Sequence, residues 1–186
     1  MRALFVGCLF VVLGFLAACA AKPLPEATSH EVLTQPYQLD SGDTLRVTVF
    51  EQANLSTTYT VDQAGFVTMP LIGQVAARGR TTQQLSRTIA RKLEGGFVRN
   101  PDVSIEVAAF RPFFIYGEVT NGGQYEYVNG MTVQTAIAIA GGFSPRANRK
   151  SVIIARQING EIIHGRENLN APVRPGDTIN IKERLF

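Results

Sequence analysis

Tryptophan is missing from this chain of 186 residues, and cysteine and histidine occur only twice each. The cysteines, Cys8 and Cys19, both sit near the N-terminus, so no disulfide can staple whatever folds downstream. His30 and His164 lie far apart, and neither has a Cys, His or carboxylate cluster at metal-ligand spacing, so no metal site is expected. No Gly-x-Ser-x-Gly elbow occurs. The nearest pattern, Gly142-Phe143-Ser144-Pro145, reads as a helix exit. Glycine pairs at 95–96, 122–123 and 141–142 lack the spacing and lysine of a phosphate loop and read as turns or helix stops, so no cofactor is expected either. The formal net charge is +3, far from the concentrated basic stripe that nucleic acid requires. Asp40 and Asp43 could be imagined as the paired acids of a glycosidase, but both flank one turn and no second acidic pair supports them. These absences describe a protein that is not an enzyme, with no catalytic residues to name.

What is present begins at the N-terminus. Arg2 is followed by an almost unbroken apolar run from Leu4 to Leu16 and then by Ala17, Ala18 and Cys19. A positive start, an apolar stretch and small residues make a secretory signal over 1–18, too short and wrongly flanked for a good membrane span. Leu16-Ala17-Ala18-Cys19 also resembles the lipobox of bacterial lipoproteins, which implies that the Cys19 thiol is acylated and becomes the mature N-terminus. The plainer alternative is an ordinary signal peptide with Cys19 incidental. One acyl chain binds a membrane only marginally, whereas the three chains that the resemblance implies would anchor it stably. Ala20, rather than Asp, follows the cysteine and favours the outer membrane. Residues 19–36 carry Pro23, Pro25 and Pro36 and read as an extended tether between lipid and fold.

Past Tyr37 the pattern is that of small alternating strands and short helices. Leu45, Val47 and Val49 share one face of a strand, with Ser41-Gly42-Asp43 as the turn before it. Phe66 to Leu71 reads as a second strand. Thr81 caps a helix with Gln84 at the reciprocal position, Leu85, Ile89 and Leu93 form its buried stripe, and Gly95-Gly96 ends it. Arg91 and Lys92 in the last turn suit the helix dipole. Val103, Ile105 and Val107 point inward from a strand introduced by Pro101. Arg111-Pro112 looks like a boundary. Beyond it come a strand from Phe113 to Val119 and a helix from the Thr132 cap to Ala140 that buries Val133, Ile137 and Ala140. A strand over 151–155 leads to the hairpin signal Ile158-Asn159-Gly160-Glu161, with 161–164 as its partner. Thr178 to Lys182 is the last strand. Gly-Asp-Thr recurs at 42–44 and 176–178, each time before an alternating strand.

Two surface features are open to either reading. Arg146, Arg149, Lys150 and Arg156 form the densest positive stretch, either a solvated loop or a contact for an acidic polymer or partner. Tyr116, Tyr125, Tyr127 and Phe143 are either core rings or sugar-stacking platforms.

The segment Tyr37-x-Leu39-x-x-Gly42-Asp43-x-Leu45-x-Val47-x-Val49-Phe50 resembles the opening of the polysaccharide biosynthesis/export domain of outer-membrane polysaccharide export lipoproteins. Asp62-x-x-Gly65-Phe66-Val67-x-Met69-Pro70-Leu71-Ile72-Gly73 and Asn100-Pro101-x-Val103 are similar to its later parts. Tyr116-Gly117-Glu118-Val119, Gly122-Gly123-x-Tyr125 and 132–142 resemble the SLBB module, a soluble-ligand-binding β-grasp. The resemblance implies an α+β chain of two small mixed sheet-and-helix domains, at 37–110 and 111–186, the second β-grasp-like. It also implies export of capsular or extracellular polysaccharide through a homo-oligomeric periplasmic ring, with an inner-membrane polysaccharide co-polymerase as partner and the lipid as membrane anchor. Well-known members carry a C-terminal amphipathic helix that lines an outer-membrane pore. Here Glu183-Arg184-Leu185-Phe186 is too short to span, so a short form relying on a separate outer-membrane β-barrel is expected. A periplasmic saccharide- or small-ligand-binding lipoprotein is the alternative. No residue is singled out as touching polysaccharide.

Overall fold

A computed structural model describes residues 36–158 and 160–184. Within them the chain is α+β and has two separate hydrophobic cores, one built from Leu39 to Val103 and the other from Phe113 to Ile181.

The first core forms under a three-stranded antiparallel sheet in which β1 (Thr44–Val49) lies between β2 (Thr57–Thr60) and β5 (Val103–Ala109). Strict alternation in β1 sends Leu45, Val47 and Val49 to the buried face. They lie opposite Val107, Ile105 and Val103 of β5, so both strands put apolar side chains on one side. The edge strand β2 is mostly exposed. A hairpin of β3 (Phe66–Met69) and β4 (Gly73–Ala76) adds Val67, Met69 and Val75 to the core. The strand expected to reach Leu71 stops at Met69, because Pro70 and Leu71 make the turn. Leu71 takes φ 68° there and is left exposed.

Helix α1 (Thr82–Glu94) closes the core with Leu85, Ile89 and Leu93, all fully buried. Its start is a capping box: Gln84 N donates to Thr81 Oγ1 at 3.2 Å, and Thr81 N donates to Gln84 Oε1 at 3.0 Å. Near its end Lys92 Nζ donates to Gln74 O at 3.0 Å, pinning the helix to β4.

The second core lies on one face of a five-stranded sheet. Its members are β6 (Phe113–Gly117), β7 (Gly123–Tyr125), β8 (Val152–Ile158), β9 (Glu161–Glu167) and β10 (Thr178–Ile181). Only β6 and β10 run parallel. Counted within this unit the order is 2-1-5-3-4, with first and last strands side by side at the centre and a helix between the second and third, which is the β-grasp arrangement. That helix, α2 (Val133–Ile139), is capped by Thr132 Oγ1, which accepts from Thr135 N at 3.3 Å, and it buries Val133, Ala136 and Ile137 with Ala140 beyond its end. Strand β6 ends at Gly117, short of the expected Val119. Gly117 has φ 94°, and a Cβ there would stand 2.2 Å from Ile181 O, so only glycine fits. Gly160, with φ 86°, turns β8 into β9, which runs on to Glu167 rather than stopping at His164. Asn159, His30 and Cys19 lie outside the described residues. Among the described residues no helix is long and apolar enough to cross a membrane.

Candidate functional site

The recurring Gly-Asp-Thr segments turn out to be two copies of one local structure. In 40–43 and in 174–177 a left-handed glycine, Gly42 (φ 90°) or Gly176 (φ 86°), occupies the third turn position. The aspartate that follows donates its N–H back across the turn, Asp43 to Asp40 O at 3.2 Å and Asp177 to Arg174 O at 3.1 Å. Each carboxylate then accepts from the first residue of its own turn, Asp40 N at 2.8 Å and Arg174 N at 2.7 Å. Asp43 and Asp177 are 0% and 1% exposed, the only buried charged residues among those described. A buried carboxylate must find a cation and enough donors, or burial is too costly.

The two find theirs differently. Asp177 receives a fork from Arg156, Nε at 2.8 Å and Nη2 at 2.6 Å, and Arg156 Nη2 also donates to Pro172 O at 3.0 Å. Asp43 accepts from Tyr37 Oη at 2.7 Å and from the Arg111 backbone N–H at 3.0 Å. Arg111 Nη1 donates to Tyr37 Oη at 2.9 Å and lies 3.4 Å from Asp43 Oδ2, while Nη2 is 3.7 Å from Asp40. Arg78 completes the cluster with Nε 2.8 Å from Asp40 Oδ1, Nη2 donating to Gln63 O at 2.7 Å and a close contact to Ser41 Oγ. Burial, and next the hydrogen bond to Asp43, push the Tyr37 phenol far above its ordinary pKa. At the other turn burial, and next the charge of Arg156, lower the pKa of the Arg174 guanidinium.

Arg111 stands in the short link between β5 and β6, and both turns close on it. A Cβ on Gly42 would approach Arg111 Cβ to 3.3 Å, and one on Gly176 would approach Arg111 Nε to 2.7 Å. Gly176 N donates to Pro112 O at 3.0 Å, and Phe114 N donates to Asp177 O at 2.9 Å. Beside them Phe110 meets Tyr37 and Tyr127 edge-on, with ring centroids 4.9 and 5.4 Å apart. Glycines 42 and 176 therefore let two turns from two different cores clamp one linker. The sequence shows the repeat but not the meeting at Arg111, which depends on the tertiary fold.

Other candidates resolve individually. Asp40 and Asp43 do come together, but on one turn and against Arg78 and Arg111 rather than across an open sugar-sized gap. The positive stretch disperses: Arg156 belongs to Asp177, Arg146 lies 3.8 Å from Glu118 and 3.3 Å from Glu183, and Arg149 sits over the Phe143 ring at 5.8 Å. Tyr125 stacks on Phe113 and donates from Oη to Asn121 O at 2.7 Å, while Tyr127 and Phe143 pack against the second core. Tyr116 alone of those four rings stands on the uncovered face of the five-stranded sheet. Phe114, which the sequence reading passed over, is exposed on that face too. A shallow pocket of about 270 Å³ there is lined by Tyr116, Ile153, Ala155, His164, Thr178, Asn180 and Lys182.

An α+β unit clamped to a β-grasp unit is the class that the fold and junction define. Residues 31–108 match the family model described as polysaccharide biosynthesis/export protein, and residues 112–165 match the SLBB domain. Between the two matched spans lies the linker held by the turns. The chain is also 31% identical, over 200 aligned positions, to the exopolysaccharide production protein ExoF of Rhizobium meliloti (strain 1021). That alignment takes in 95% of this chain and 46% of the relative, so the chain spans about half the relative's length. Residues 31–108 thus belong with the polysaccharide biosynthesis/export proteins, a family of export proteins and not of enzymes, and residues 112–165 with SLBB domains.

Proposed function

We propose that this protein is the lipoprotein component of an exopolysaccharide export machine. In this reading residues 1–18 are the signal peptide, Cys19 carries the lipid and 19–36 tether the export domain (37–110) and the SLBB domain (111–186) to the outer membrane. The folded part faces the periplasm, forms a homo-oligomeric ring around the polymer and works with an inner-membrane co-polymerase. Its role is structural rather than catalytic. The observation that carries the reading is the tandem order of the two matched modules on two adjacent cores joined by the Arg111 junction. A closed ring needs the same heterologous contact and the same subunit shape at every step, which a clamped junction favours.

Deleting the gene and measuring polymer separately in periplasm and medium tests this. Loss of external polymer is expected, and unchanged secretion would overturn it. Cys19→Ser is expected to move the protein out of the membrane fraction. The open sheet face with Phe114, Tyr116 and its pocket favours a second reading, a periplasmic saccharide-binding lipoprotein without a conduit. A stable monomer with saccharide affinity would select it.

A further inference from the structure

The solvent face of α1 carries positive charge that no carboxylate among the described residues pairs with. Gln84, Arg87, Thr88 and Arg91 stand at i, i+3, i+4 and i+7 and so share one stripe, on the far side of the helix from buried Leu85, Ile89 and Leu93. Arg80, just before the helix, lays its side chain along that stripe and donates from Nη1 to Thr88 Oγ1 at 2.6 Å. Together they line a shallow groove of about 790 Å³. Arg78, Arg111, Arg146 and Arg156 each have a carboxylate. Among the described residues no ion pair involves Arg80, Arg87 or Arg91. Arg87 and Arg91 are also one turn apart, where like charges weaken the helix that bears them. Such an arrangement has a local cost, offset only at Arg91 by the helix dipole. It suits an external anion: guanidinium forks match carboxylates, and the amide NH2 of Gln84, whose oxygen is taken by the capping box, offers donors for sugar hydroxyls.

Resting on the export reading, we propose that this groove binds carboxylate-bearing sugars of an acidic polysaccharide. A membrane surface is a poor occupant, because lipid docking sets large apolar side chains beside the cations, and Ala90 is the one apolar residue that lines the groove.

The test is binding of the full chain, purified in detergent, to a defined-length oligogalacturonate and to a neutral dextran of equal length. Oligogalacturonate is expected to bind, more weakly as ionic strength rises, and dextran is not. Arg87→Gln and Arg91→Gln are each expected to weaken binding about tenfold, the loss of one charge-assisted pairing. Arg46→Gln, on the outward face of β1, removes the same charge and is expected to leave binding unchanged. Undiminished affinity in the Arg87→Gln/Arg91→Gln double variant, or equal binding of dextran, would overturn the proposal. Equal capture of polyglutamate or of phosphatidylglycerol vesicles would overturn the saccharide assignment in favour of an acidic protein or a membrane. No oligogalacturonate binding by a protein whose deletion still abolishes external polymer sinks the groove alone. External polymer unaffected by the deletion overturns both readings.

Discussion

At Asp177 a buried carboxylate meets Arg156 through a two-point fork of 2.8 and 2.6 Å, and the partner comes from a strand of the same sheet. At Asp43 an equally buried carboxylate meets Arg111 chiefly through its backbone N–H at 3.0 Å, and the guanidinium is divided among Tyr37, Asp43 and Asp40. The Arg156 side chain is 13% exposed and that of Arg111 is 24% exposed. The same turn has thus been put to two uses. One pair belongs to the interior of a single unit and bears on its stability. The other holds the linker, so its main effect is on how the two units stand relative to each other.

This contrast can be broken in order of expected effect. Asp177→Ala leaves Arg156 buried without its partner and the Arg174 N–H without an acceptor, a class of change that costs about 3–5 kcal/mol. Chemical denaturation should show the second unit unfolding first. Asp43→Ala is expected to cost less, about 1–3 kcal/mol, because Arg111 is partly hydrated and retains Asp40. Denaturation midpoints that reverse this ranking would show that the two carboxylates are not divided as described. Arg111→Ala leaves buried Asp43 without its cation but with the Tyr37 hydroxyl and two backbone N–H donors, so its cost is expected in that same range of about 1–3 kcal/mol. Its distinguishing effect should be faster proteolysis between residues 108 and 112 and a broader distribution of distances between probes on the two units.

The smallest effect is a matter of pH. The folded-state pKa of Tyr37 lies above its unfolded value because the buried phenol, hydrogen-bonded to Asp43, is held neutral. Its contribution is therefore complete below the ordinary tyrosine pKa of about 10 and declines as pH rises beyond it. Stability measured against pH should fall on the alkaline side, and Tyr37→Phe should flatten that slope. A slope unchanged by Tyr37→Phe would assign it to other groups.

Much of the fold was legible because its signals are local. The capping box of Thr81 and Gln84, the stripe of Leu85, Ile89 and Leu93, and the alternation in β1 and β5 each lie within a few residues and appear as expected. Strands β2, β4 and β7 were not foreseen. Thr57-Thr58-Tyr59-Thr60 has no apolar alternation because it is an exposed edge, and the other two are too short to show a period. Phe114 was missed for a related reason. It sits in the continuous apolar run Phe113-Phe114-Ile115-Tyr116, where hydrophobicity alone cannot say which residues face out. The junction was half visible: Gly-Asp-Thr repeats in the sequence, but residues 42, 111 and 176 meet only once the second sheet places β10 beside β6.

Under the proposed export role, the clamped linker keeps the two units in the orientation that export uses. The most direct test is external polymer from cells whose only copy carries Arg111→Ala. The account predicts a clear drop in secreted polymer while protein level and membrane attachment stay at wild-type values. Normal secretion from that strain would contradict it.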